Sequence, residues 1–388
     1  VAVLLGGLLG AAARAGVEPF DRVTVEVAGA GVSASVPRGY RLERLAGNLR
    51  RPRMITFSAS GDLYAGSRAG AVYRIPPPYR QARALVRLAG YPHSVAFRPG
   101  EIVIARSNGL YRAPFDPARP RLAAADLTLL ARLPAGGGHS SRTVRVGPDG
   151  RLYVALGIAG NCSDQYLGEG YPFADRRGGV LVLEEGGPAP RLAAFATGLR
   201  NPVGFDWHPE TGVLYASNNG PDHLGFEEPP EYFARLDPGS FHGMPWFQLI
   251  GGRMRRDPCI RSRPPRSDPR LPVATFAARN APMAVAFVPR GALDPRFEGD
   301  AVVALHGSWA TRPSGAPWGK RASRRPPKLV LVRFERGRPV RVDDLVTGFQ
   351  RADGSRWARP VGVAFGPDGA LYFTSDAGME ALFRLRPG

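Results

Sequence analysis

A histidine set among glycines is the first place in this sequence where chemistry could be done. His139 stands in the stretch GGGHSSR, from Gly136 to Arg142, ahead of a short apolar strand and the turn Pro148-Asp149-Gly150. Glycines let the main chain turn sharply and approach a ligand closely. The imidazole is therefore expected at the mouth of a sheet, where it can take or give a proton. Similar polar residues stand ahead of other apolar strands: Pro92-His93, Arg200-Asn201-Pro202, Arg279-Asn280-Ala281-Pro282 and Arg359-Pro360. If those strands share one geometry, His93, His139, Arg200, Asn201, Arg279, Asn280 and Arg359 gather at one end of the molecule. Histidines among arginines suit an anionic ligand and proton transfer. Each residue alone is as readily a turn cap or a satisfied structural histidine, and only the recurrence in register points to a site.

The elements that must hold these residues are repeats. The phrase Pro-Asp-Gly followed by Leu-Tyr occurs at Pro148–Tyr153 and, with Ala before the Leu-Tyr, at Pro367–Tyr372; looser copies lie at Ser58–Tyr64 and His208–Tyr215. A turn-plus-strand unit repeated at roughly 40–50 residues marks a propeller. Six such units fit the chain. The expected fold is all-β, a six-bladed β-propeller of four-stranded antiparallel blades around a central channel. The first blade reads as Gly39–Ile75, with a strand before the Arg51–Phe57 stretch and two after it. Residues 16–38 alternate as lead-in strands and residues 39–388 form the propeller domain. Two stretches interrupt the repeats, Asn161–Gly178 and Gly239–Pro272, and long insertions of this kind are more often functional than idle.

Composition narrows the class. The 388 residues carry 49 glycines and 39 prolines, together under the ~25–30% that marks low-complexity chains. The net charge of +19 comes mainly from arginine spread along the chain. Nucleic-acid binding would gather that charge on one face with interleaved aromatics; Arg253–Arg270 and Lys320–Arg325 are proline-rich and lack them, so no nucleic-acid partner is expected. The opening VAVLLGGLLGAAARAG is too short to span a bilayer and ends in the small residues a signal peptidase prefers. Residues 1–15 are read as the remnant of a signal peptide, and the protein as exported, periplasmic or secreted, with no transmembrane segment. Cys162 and Cys259 are too few for a zinc site or a disulfide framework, and whether they pair is left open.

Four ordered phrases carry a resemblance: GGGHSSRTVRVGPDGRLYVALG, then GLRNPVGFDWHPETGVLYASNNGPD, then HGSW with PPKLVLVRF, then WARPVGVAFGPDGALYFTSDAG. Together they make the chain similar to the soluble quinoprotein glucose/sorbosone dehydrogenase family over roughly residues 39–387, nearer its sorbosone branch. The resemblance implies a six-bladed propeller that holds pyrroloquinoline quinone with calcium and oxidises a sugar or sugar aldehyde. It implies roles as well. His139 matches the general base, and Arg200 and Asn201 the pair facing the quinone oxygens. Gly220 and Pro221 match the carbonyls that hold calcium, and Lys328 and Arg359 the cations on the cofactor's carboxylates.

Two departures accompany the match. The family's glucose enzymes place an aspartate beside the base just after the second strand; here Gly157-Ile158-Ala159-Gly160 stands there, with Asp164 the nearest substitute. The second arginine of the quinone clamp has no clean match, Arg356 falling three residues early. Besides the dehydrogenase, two other classes are compatible: a calcium-dependent propeller lactonase, which would need carboxylates in the channel, and an exported propeller that binds a ligand without turnover. The substrate sugar or aldehyde, the electron acceptor and the oligomeric state are not legible in the sequence.

Overall fold

The computed structural model describes residues 19–119 and 121–388. The signal-peptide reading of residues 1–15 lies outside them. Among the described residues, six sheets follow one another around a central axis, five of four antiparallel strands and one extended to five by a parallel strand, Ser240–Phe241. Blade 1 is built from Pro52–Phe57, Leu63–Ser67, Ala71–Ile75 and Arg83–Arg87; blade 2 from Pro92–Arg98, Glu101–Arg106, Gly109–Pro114 and Thr128–Arg132. Blade 3 contains Val144–Val146, Leu152–Leu156, Gly179–Glu184 and Arg191–Thr197; blade 4 contains Phe205–Trp207, Leu214–Asn218, Glu231–Leu236 and Ala274–Phe276. Blade 5 contains Pro282–Phe287, Ala301–Leu305, Lys328–Glu335 and Arg338–Val346.

Blade 6 corrects the sequence reading. Its strands are Ala358–Phe365, Leu371–Gly378 and Ala381–Pro387, and its outer strand is Tyr40–Arg44 from the other end of the chain. The strand counted with the first blade therefore belongs to the last one, and blade 1 takes Arg83–Arg87 as its fourth. Glu43 fastens the closure, accepting from Arg384 Nη2 and Arg386 Nε, both at 2.9 Å.

The second strand of each blade shows why the apolar runs are continuous. LYAGS, LYVAL, LYASN and AVVAL are buried at every position, because a blade packs both faces against its neighbours. Strands covered on both faces read as unbroken apolar runs, and each Leu or Val so buried contributes about 1.5–3 kcal/mol. The repeated turn has its own reason. The Asp149 carboxylate accepts from the Tyr153 hydroxyl at 2.9 Å, and Asp368 accepts from Tyr372 at the same distance. Aspartate and tyrosine thus clasp the same turn in two blades.

Between the inner strands lies a cavity of 190 Å³, walled by Ile55, Val95, Val144, Gly204, Val285 and Val363, one from each blade. The lead-in strands Arg22–Glu26 and Ser33–Pro37 pair as a hairpin, whose Val27, Ala34 and Val36 pack on the core of blades 5 and 6. The two insertions fold together. Cys162 and Cys259 are joined in a disulfide, Trp246 is buried with Phe241 and Ile260, and the hairpin Phe247–Ile250 with Arg253–Arg256 lies within the second insertion.

Candidate active site

Every inner strand starts at the same end of the channel, and every second strand ends there. That geometry brings His139, Arg200, Asn201, Arg279, Asn280 and Arg359 to one mouth of the propeller. Further residues come from the ends of second strands, which the sequence reading did not search in this way: Ile158, Asp222, His306 and Asp376.

His139 is held by its own loop. Two buried arginines hold the loop's carbonyls. Arg142 donates to the carbonyls of His139 (2.9 Å), Ser141 (2.7 Å) and Pro134 (2.8 Å), and Arg177 to those of Ala174 (2.8 Å), Gly136 (3.0 Å) and Ala135. Gly137 has φ 80°, and a Cβ there would lie 2.6 Å from the Ala159 Cβ, so only glycine lets the loop lie against the strand end. The histidine's Nδ1 is hydrogen-bonded to the Ile158 carbonyl. A carbonyl accepts only, so Nδ1 carries the hydrogen and Nε2 keeps its lone pair. Burial, then the Arg200 charge, lowers the imidazole pKa to about 4, against the opposing pull of the Ile158 bond. That value lies well below the ordinary histidine value of ~6.5.

The missing aspartate is thus replaced by a backbone oxygen. Asp164 does not serve, for the His139 Nδ1 is bonded to Ile158 instead; the Asp164 carboxylate accepts from Tyr171 at 3.4 Å. Gly157 explains the local sequence: a Cβ there would lie 2.5 Å from Asn201 Oδ1 and 2.8 Å from the His139 Cβ. The glycine lets blades 3 and 4 bring these two side chains together.

Arg200 is 4% exposed. Its Nη2 donates to Asn161 Oδ1 and faces Asp222 at 3.4 Å. Asn161 comes from the first insertion, and its oxygen also accepts from the Asp222 amide at 3.1 Å, so the inserted loop forms part of the wall. Beneath Gly220, buried Glu231 accepts from the Gly220 amide at 2.5 Å. Burial raises its pKa to about 7, although that amide and the charges of Arg200 and Arg279 pull the other way. Arg279 donates to several carbonyls of the 220–228 loop, including that of Pro221, the expected calcium ligand.

Across the mouth, His306 Nε2 lies 2.7 Å from Asp376 Oδ1, and Arg53 Nη1 lies 2.5 Å from Asp376 Oδ2. Arg359 donates to the carbonyls of His306 at 3.0 Å and Gly307 at 3.1 Å, and Arg356 donates to that of Ser308 at 2.8 Å. The arginine three residues early therefore grips the same segment as Arg359.

Two expected residues stand apart. His93 is fully buried, with Nδ1 2.8 Å from the Tyr91 hydroxyl and Nε2 3.1 Å from Thr143 Oγ1. Both ring nitrogens are engaged in joining blades 2 and 3, and none is left for a ligand. Lys328 Nζ donates to Asp344 at 2.6 Å, on the outermost strand of blade 5, so its ammonium is already paired within the sheet.

Several buried polar atoms at this mouth have no partner among the described residues: Arg200 Nε, Asn201 Oδ1, Arg279 Nε and Asn280 Oδ1 on blades 4 and 5, and Arg53 Nε and Arg324 Nε opposite. Buried groups of this kind are nearly always satisfied. Six of the fourteen such atoms among the described residues lie at this mouth, where a polar ligand would find partners.

The family model described as Glucose / Sorbosone dehydrogenase matches residues 110–308. The chain belongs to this family. Solved structures share the fold: the holo form of a pyranose dehydrogenase PQQ domain from Coprinopsis cinerea (19% identity, 91% of this chain and 97% of that one, TM-score 0.66) and the PQQ-bound aldose sugar dehydrogenase of Streptomyces coelicolor (17%, 90% and 99%, 0.62). A calcium structure of a Trichoderma reesei enzyme of Carbohydrate-Active Enzymes Family AA12 is also similar (18%, 91% and 96%, 0.73). An uncharacterized protein of Borreliella burgdorferi is 23% identical over 364 residues, 90% of each chain. As a member of the glucose/sorbosone dehydrogenase family, the protein is an oxidoreductase of the sugar dehydrogenase type acting on a small molecule.

Proposed function

We propose that this dehydrogenase uses pyrroloquinoline quinone to oxidise the anomeric carbon of a sugar, or a sugar aldehyde such as sorbosone, with His139 as general base. The observation that carries this reading is the state of His139. Its Nδ1 hydrogen is fixed on Ile158, its ring is neutral at pH 7, and its Nε2 lone pair has no hydrogen-bond partner among the described residues. The quinone is a planar, anionic, oxygen-rich molecule, which suits a mouth lined by arginines and by unpartnered Asn201 and Asn280 oxygens and arginine Nε groups. Arg200, Asn201, Arg279 and Asn280 would hold one side, Arg53, Arg356 and Arg359 the other. When bound, the quinone supplies a hydride acceptor.

The residues do the rest. The substrate hydroxyl, or the hydrate of an aldehyde, gives its proton to His139 Nε2 as the carbon loses its hydride. Arg200 stabilises negative charge growing on the acceptor side. The insertions stapled by Cys162–Cys259 wall the site and shape the substrate space. The same disulfide supports an oxidising, exported setting, and no helix among the described residues is long and apolar enough to cross a membrane.

The lactonase reading needs clustered carboxylates. Among the described residues, the grouping of metal-ligand atoms is Cys162, His223 and Cys259, and its two thiols are joined to each other. No step of the present reading runs through calcium at Gly220 and Pro221, because Arg279 already donates to the Pro221 carbonyl.

The test is dye reduction by purified protein supplied with the quinone, across a panel of sugars and aldehydes. Turnover is expected with at least one substrate and should fall by ~10²–10⁴ in His139→Gln, with quinone binding retained. Quinone binding without turnover on any substrate points to the non-catalytic propeller.

A further inference from the structure

The loop that opens at Gly220 is already built around a positive charge. Arg279 Nη1 donates to the Pro221 carbonyl and, at 3.3 Å, to Asp222 Oδ1; Nη2 donates to the carbonyls of Asp222 (3.0 Å), Gly225 and Glu228 (3.0 Å). The side chain is 1% exposed. Its residue sits at φ 69°, a left-handed conformation uncommon outside glycine, and adopts it where the guanidinium reaches the loop. Carbonyl oxygens converging on one point are what a hard cation such as calcium requires. Here four of them converge on a guanidinium.

The surrounding charges agree. Asp222 is shared between Arg279 and Arg200, the latter at 3.4 Å. Glu231, a second acid at this place, turns one oxygen to the Gly220 amide and the other towards the Ala281 amide at 3.5 Å; within the loop, Glu227 pairs with Arg312 and Arg325, and Glu228 keeps one buried oxygen without a partner among the described residues. A divalent ion bonded to Pro221 would face two buried guanidinium groups, with the Asp222 carboxylate already committed to both. Like charges that close in a poorly solvated setting repel strongly.

We propose that Arg279 is the resident cation of the 220–228 loop, so that the loop takes no calcium ion. Resting on the quinone reading above, the consequence is that the fixed positive charge offered to the cofactor on this side comes from Arg279 and Arg200, and that the cofactor is held without a metal at Pro221.

A test that reads the ion directly uses crystals of the wild type and of Arg279→Gly soaked in a terbium salt, a calcium mimic located by its anomalous scattering. Glycine tolerates the left-handed backbone. The wild type is expected to show no ion within bonding distance of the Pro221 carbonyl, and the variant an ion coordinated by the loop carbonyls. An ion on Pro221 in the wild type overturns the proposal. Should the variant not crystallise, its melting temperature is compared in calcium, in a low concentration of guanidinium and in chelator. Stabilisation by either cation, beyond that seen in the wild type, supports the proposal, and a response no larger than that of the wild type counts against it. Quinone binding to the wild type, followed by absorbance in chelator and in calcium, separates the two readings. Equal binding supports both, and binding that requires calcium overturns the resident cation. Absence of binding under either condition overturns the quinone reading, with the terbium result still deciding the loop.

Discussion

His139 in the ligand-free protein binds its proton weakly, for reasons that a ligand would change. Burial and the Arg200 charge together bring its pKa to about 4. A base must be unprotonated to act, so the rate should rise with pH along a limb set by this imidazole. The anionic quinone proposed against Arg200 is present in both kcat and kcat/KM and offsets the charge that depresses the imidazole. Burial still opposes protonation, so both limbs are expected above about 4 and below the ordinary ~6.5. His139→Gln should lose both limbs, and pH–rate profiles of the two proteins check this. Limbs at ~6.5 or above would show a histidine that the site does not depress. If His139→Gln retains wild-type turnover, the next residue to replace is His306, whose imidazole is oriented by Asp376; His93 has both nitrogens engaged.

Among the elements, the strand Glu231–Leu236 carries a buried acid at its first residue, and this makes stability depend on pH. Glu231 has its pKa raised from 4.5 to about 7. The folded state therefore holds a proton that the unfolded chain has released between those values. The proton linkage is fully present below 4.5 and is lost as pH rises through about 7, a slope of ~1.4 kcal/mol per pH unit within the window. His139, His242 and His306, each lowered to about 4, act in the opposite sense on the acid side of ~6.5. The difference between the wild type and Glu231→Gln isolates the glutamate. Denaturation at a series of pH values should show the variant gaining on the wild type by about 2–3 kcal/mol from pH 4.5 to 7. Parallel curves would mean that Glu231 titrates normally.

The whole molecule is a ring closed by two distant ends of the chain. Tyr40–Arg44 pairs with Ala381–Pro387, and Glu43, 8% exposed, receives Arg384 and Arg386. Burial by itself would raise the Glu43 pKa, but the hydrogen bonds from Arg386 and Arg384 and their charges outweigh it and leave the pKa lowered. Glu43→Ala removes an acceptor from both arginines, of which Arg384 keeps Asp368 and Arg386 is partly exposed, and should cost about 1–2 kcal/mol, read from the denaturant midpoint. Loss of cooperativity in that transition, with blade 6 opening ahead of the rest, would locate the weakest seam of the ring. An unchanged midpoint would show that the strand pairing alone closes it.

What the sequence determined by itself was the repeat and the polar residues that begin each inner strand. Those signals are local: a turn of Pro-Asp-Gly, an apolar run buried on both faces, an arginine or histidine at a constant offset. The fold class, the unit count and the placement of His139, Arg200, Asn201, Arg279, Asn280 and Arg359 at one mouth were legible because a repeated element repeats its geometry. The rest depended on contacts between segments far apart in the chain, which no local pattern encodes. Tyr40–Arg44 joins the last blade because a ring must bring its ends together. Cys162 meets Cys259 because two insertions fold onto each other. The Ile158 carbonyl takes the place of an orienting aspartate, and Arg279 meets the Pro221 carbonyl, because neighbouring blades aim backbone oxygens that carry no sequence signal. Lys328 shows the limit from the other side: its position in the chain matched a clamp, but its ammonium pairs with Asp344 on the strand beside it, a contact that the sequence does not signal.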